Sequence, residues 1–222
     1  MRSLVQPNVL KAAGAGAAIT SLASYPRLIL WTDRPQPLWF LMLTLAWAAF
    51  LLWSFVFGWH SKYTGQPAIV VRTKLVSWGA ATVAGLLGAL LLELRIDPVL
   101  RPLVPDDYPA TVQTWLATTL FLLAFEQLFI CLAPFAFFLR LSQRPAIAAT
   151  LTVLFGVFLV YLKARRWPGQ FSSFFISELF AWRVLAGFLS VAFFLKGGAV
   201  LTIWWTLLLQ LRHLLHIWLG AK

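Results

Sequence analysis

Glu126 and Gln127 stand inside FEQLFICLAPFAFFLRLSQRPAIAATLTVLFGVFLVYL, residues 125–162, a stretch that is otherwise mostly apolar. A carboxyl group at membrane depth costs ~2.5–3.5 kcal/mol on insertion scales, so it needs a partner or a chemical task. As a general base, Glu126 would need a hydrogen-bonding neighbour and a water in reach. As a structural group, it would need a cation. Arg183 is the only basic residue near the middle of an apolar stretch, and it is the first-choice partner, with Gln127 and Gln210 as further buried polar candidates. Glu178 and Arg183 are five apart, so they do not stack on one helix and are expected to pair across helices. His213 and His216 lie at i, i+3 on one helical face. With His60, they are the candidate axial ligands for a chlorin or haem; as bland residues, all three are interfacial histidines at helix ends. Asp106 and Asp107 read as a solvated turn rather than a metal pair, and the single Cys131 excludes an internal disulfide. No metal site is expected.

The elements that must position these groups are transmembrane helices. Of the 222 residues, 61% are hydrophobic and 11% charged, against about 25% charged in soluble domains. Apolar runs fall at roughly 37–59, 75–94, 111–139, 145–162, 174–195 and 199–219; all but the third are near the ~20 residues that a bilayer crossing needs, and the third is long enough to tilt or protrude. The expected fold is therefore all-α, a polytopic bundle of about six transmembrane helices. The net charge of +11 sits mainly in short connections, which points to lipid headgroups rather than nucleic acid. Membrane lipids and other integral membrane proteins are the expected partners.

Residues 1–36 read as a basic N-terminal arm at the membrane surface, carrying Arg2, Lys11, Arg27 and Arg34; the bundle occupies 37–222. Four prolines over 95–110 argue for an irregular connection. Trp167-Pro168-Gly169 and Lys196-Gly197-Gly198 read as turns. Ala80, Ala84 and Gly88 lie four apart, a spacing that permits close helix contact. With six spans, eleven Lys and Arg fall on the side of the termini and six on the other, so the positive-inside rule places both termini in the cytoplasm.

Residues 124–198 resemble the CPBP family, the membrane-embedded prenyl-endopeptidase-like and bacteriocin-protection proteins. That family shows Glu-Glu-x-x-x-Arg on one helix, Phe-x-x-x-His on the next, then a Gly-rich turn and a His-x-x-x-Asn/Asp helix. AFEQLFICLAPFAFFLRL, LTVLFGVFLVY and FLKGGAVLTIWWTLLLQL follow that order. Glu126 matches the first glutamate and Phe155 the phenylalanine. Gln127, Cys131 and Leu159 replace the second glutamate, the arginine and the histidine. Trp205 and Thr206 stand near the expected last histidine, and His213 lies about two turns too late. The resemblance implies a CPBP-like helical bundle in a bacterial inner membrane. The substitutions imply a non-catalytic protein, a structural or accessory subunit of a membrane complex. Two alternatives are an intramembrane glutamate-type protease using Glu126, and a pigment- or haem-binding subunit of an energy-converting complex.

Overall fold

The computed structural model describes residues 3–70, 72–167 and 171–220. The expected turn residues Pro168 and Gly169, and the terminal charges Arg2 and Lys222, lie outside them. Helix α1 is Pro7–Leu30. Four further helices are α2 (Leu38–Thr64), α3 (Leu75–Leu100), α4 (Val112–Ser142) and α5 (Pro145–Ala164). Prolines open α1 and α5, since a residue lacking an N–H is tolerated in a first turn, where that donor has no partner. Thr111 and Thr114 cap each other's backbone at the start of α4.

The last helix runs Ser173–Gly220, 48 residues. At 1.5 Å per residue that is about 70 Å, twice the thickness of a bilayer core. It folds back on itself at Gly198, whose φ of 66° and ψ of −165° break the helix. The two halves are α6 (173–197) and α7 (199–220). Their antiparallel packing is set by Trp205, whose indole N–H donates to the Ser190 hydroxyl at 3.2 Å, and by the Phe193 ring against Trp205. Trp182 of α6 and Leu209 of α7 both press on Gly88 of α3. The turn at Lys196-Gly197-Gly198 is thus present, and five helices long and apolar enough to cross a membrane, the last of them folded in two, stand where six spans are expected. Among the described residues there is no strand; one antiparallel bridge joins Ile69, in the α2–α3 connection, to Gly198.

The architecture is all-α, with α2 to α7 forming the apolar bundle. Most of the stretch expected as an arm is the helix α1. Helix α1 packs lengthwise against α2 and the first half of α4. Its buried stripe is Ala13, Ala17, Thr20, Ser21, Ser24 and Leu28. Small residues there let α2 approach closely: Trp53 lies over Gly16 and donates its indole N–H to Thr20 Oγ1 at 3.0 Å.

Two other stretches depart from regular geometry. Residues 95–100, expected as loop, continue α3 as helix. A π-turn over Leu92–Ile96 precedes the last helical turn, Asp97–Leu100, where Pro98 has no N–H with which to continue the ladder. In α4, π-turns over Leu122–Glu126 and Leu128–Leu132 flank Gln127 and lead into Pro134. The missing N–H of Pro134 loosens the ladder there, and π-turns mark such places.

Candidate functional site

The charged side chains of α3 and α7 meet at the end of the bundle remote from Gly198. Glu93, Asp97 and Arg101 lie four apart along α3 and its C-terminal end; Arg212 and His216 lie four apart in α7. Four-residue spacing puts each set on one helical face. Asp97 is the hub, with 2% of its surface exposed. Arg212 Nε donates to Asp97 Oδ2 at 2.7 Å, and an Arg101 nitrogen lies 3.8 Å from the same oxygen. The Tyr108 hydroxyl donates to Asp97 Oδ1 at 3.1 Å. Burial pushes the Tyr108 phenol well above its ordinary range, and the Asp97 carboxylate acts in the same direction, so this hydroxyl stays protonated and serves as a donor. Glu93 accepts from Arg101 at 3.3 Å and faces His216 Nδ1 at 3.3 Å. Nearby, Arg95 pairs with Glu178 at 2.6 Å and Lys163 with Asp107 at 2.9 Å.

Space surrounds this network. An apolar groove of about 440 Å³ runs between α3 and α7, lined by Leu86, Leu90, Leu208, Leu211 and Leu215, and it ends at Glu93, Arg212 and His216. A cavity of about 410 Å³ lies on the Asp97 and Arg101 side of His216, and one of about 420 Å³ lies on the Tyr108 side. His216 borders all three. Its imidazole, with one nitrogen against Glu93, is placed to hydrogen-bond a polar group entering any of them.

The Glu126 region is arranged differently from expectation. Glu126 and Arg183 form no ion pair, and Glu126 has no hydrogen-bond partner among the described residues. Arg183 instead lies against Gly156 of α5: a β-carbon there would fall 2.6 Å from one of its terminal nitrogens. Gln127, Cys131, Thr152, Arg183 and Ser190 line a void of about 20 Å³. Neighbouring positions on a helix point about 100° apart, so Gln127 faces this void while Glu126 does not border it. Glu178 pairs across helices, as expected, but with Arg95. Gln210 is buried, and its backbone carbonyl, not its side chain, accepts from Trp115 at 2.9 Å.

The three histidines occupy three different settings. His60 is fully buried, with its ring 4.3 Å from that of Phe194 and Nδ1 against the Gln66 carbonyl at 3.2 Å. His213 is buried edge-on to Tyr108. His216 alone is open, its side chain half exposed. A macrocycle at His60 would have to displace Phe194 and Phe135.

Fold and site together define an all-α membrane protein with a buried ion network at one end of its helical bundle. No family model, no curated protein and no solved structure matches the chain.

Proposed function

We propose that this integral membrane protein is non-catalytic, built on a degenerate scaffold similar to that of the CPBP family, and that it acts through what it binds, as a structural or accessory subunit. The observation that carries this reading is the void beside Gln127 and Cys131. Its 20 Å³ is about the room of one water molecule, too little for a peptide bond and an attacking water together. An amide and a guanidinium cannot accept the proton that general-base catalysis requires. Glu126 makes no hydrogen bond or ion pair with either and does not line the void. The protease alternative predicts membrane-protein fragments that disappear on Glu126→Gln. On our reading, quantitative comparison of membrane peptides from wild-type and Glu126→Gln cells finds no difference, and a fragment dependent on Glu126 would overturn it.

A second reading concerns the groove at His216. An apolar trough ending in charged groups of both signs suits an amphiphile. The acyl chain would lie along Leu86, Leu90 and Leu215. His216, with Arg101 in the adjoining cavity, would meet a phosphate, and Glu93 a primary ammonium. This fits a zwitterionic phospholipid. Added phosphatidylethanolamine should raise the unfolding temperature of the detergent-solubilised protein. Leu90→Trp, which fills the groove, should remove that rise. No rise in the wild-type protein would contradict the reading.

We further infer that α1 crosses the membrane alongside α2. Between Lys11 and Arg27 it carries no charge, and its outward residues, Ile19 and Leu22, are apolar and exposed. A seventh crossing separates the two ends of the bundle's chain. It also moves Arg2 and Lys11 to the other face, which leaves nine Lys and Arg against eight. The charge bias that placed both termini in the cytoplasm then vanishes. Cysteines introduced at Val5 and Asp33 should be labelled from opposite sides of sealed vesicles. Labelling from one side would return α1 to the membrane surface.

A further inference from the structure

Arg183 poses a question that neither the ion network nor the groove answers. Its Nε is buried without an acceptor among the described residues, and no carboxylate there lies within ion-pairing distance. A guanidinium whose Nε is buried with no acceptor is unfavourable. Yet the fold makes room for this one. Gly156 forms the notch that receives it, since a β-carbon there would come within 2.6 Å of a terminal nitrogen and 3.0 Å of Nε.

The void at the guanidinium is lined by polar side chains that can donate. Ser190 Oγ already accepts the Trp205 indole N–H at 3.2 Å, which leaves its own O–H free to donate. Cys131 offers an S–H. Gln127 presents a buried amide whose oxygen has no donor in reach among the described residues. The oxygen and nitrogen ends of an amide exchange by a simple flip, which turns two N–H groups toward the void. Thr152 does not contribute, because its hydroxyl donates to the Ala148 carbonyl at 2.7 Å. Glu126, the nearest acid in sequence, is not part of the lining.

Donors around a fixed positive charge define an anion site. The volume of about 20 Å³ excludes phosphate, carboxylates and any lipid headgroup. It admits a monatomic ion or a water, and of the two only an anion sets a negative charge directly against the guanidinium. We propose that Arg183, Gln127, Ser190 and Cys131 hold one chloride ion in the middle of the bundle.

The test uses the full-length protein in detergent, with sodium chloride exchanged for sodium gluconate at constant ionic strength. Chloride should raise the unfolding temperature saturably, by about 5 °C at a hundredfold excess over its dissociation constant. Bromide should substitute for chloride, and sulfate should not. Ser190→Ala, which keeps the charge, should weaken the dependence, and Arg183→Gln should abolish it. Should Arg183→Gln fail to fold, anomalous diffraction from bromide-soaked wild-type crystals locates the ion, and the proposal requires the peak beside Arg183. Identical unfolding temperatures in chloride and gluconate would mean that water fills the void and would overturn the proposal. So would a chloride dependence that survives Arg183→Gln, or a bromide peak elsewhere alone.

Discussion

Asp97→Leu should destabilise the bundle by about 3–5 kcal/mol, the usual effect of breaking a buried ion pair from one side. The leucine removes the only carboxylate within 4 Å of Arg212 among the described residues, where Asp97 Oδ2 lies 2.7 Å from Nε. It also removes the acceptor of Tyr108. Arg212 is then left charged with 12% of its side chain exposed. The double change Asp97→Leu with Arg212→Leu should recover much of the loss, because an apolar pair of similar volume is often as stable as a buried ion pair. Reversible unfolding in mixed micelles measures both. Equal losses in the single and double variants would show that the network contributes packing rather than charge pairing.

Gly198→Ala should cost about 3 kcal/mol or more, by strain and collision together. At φ 66° and ψ −165°, a region essentially confined to glycine, an L-residue is disfavoured by about 1–3 kcal/mol. The added β-carbon would also lie 2.6 Å from the Ala68 carbonyl oxygen. That oxygen accepts the Ala199 N–H at 2.8 Å, so moving it breaks the bond that fastens the α2–α3 connection to the α6–α7 hairpin. Gly65 supplies the internal comparison. Its φ is 70°, but a β-carbon added there would meet no atom within 4 Å, so Gly65→Ala should show only the conformational cost of about 1 kcal/mol. Unfolding of the two variants side by side sets an open left-handed turn against a crowded, more strained one; equal losses would refute the added cost at Gly198.

The transmembrane helices were legible because Leu, Phe, Val and Trp runs of bilayer length admit little else. The hairpin at Gly198 was legible because Lys196-Gly197-Gly198 interrupts an apolar run too long for one crossing. Helix α1 was harder to read. Its Ala, Gly, Ser and Thr residues give a weak hydropathy signal, yet those small side chains are what α2 packs against at Gly16 and Thr20. The ion network left a trace in the four-residue spacing of Glu93, Asp97 and Arg101. Pro98 disguised it by making the stretch resemble a loop, and its partners Arg212 and His216 lie more than a hundred positions away. The Glu126–Arg183 pair failed for a geometric reason. Arg183 lies in the Gly156 notch beside Gln127, on the void that Glu126 does not border.

The central claim is that this protein works by binding rather than by cleaving. Native mass spectrometry of the chain ejected directly from its own membranes tests that claim most directly. The expected result is a chain that retains a partner subunit or a stoichiometric phospholipid. A bare chain, free of partner and lipid under conditions that preserve other membrane complexes, would contradict it.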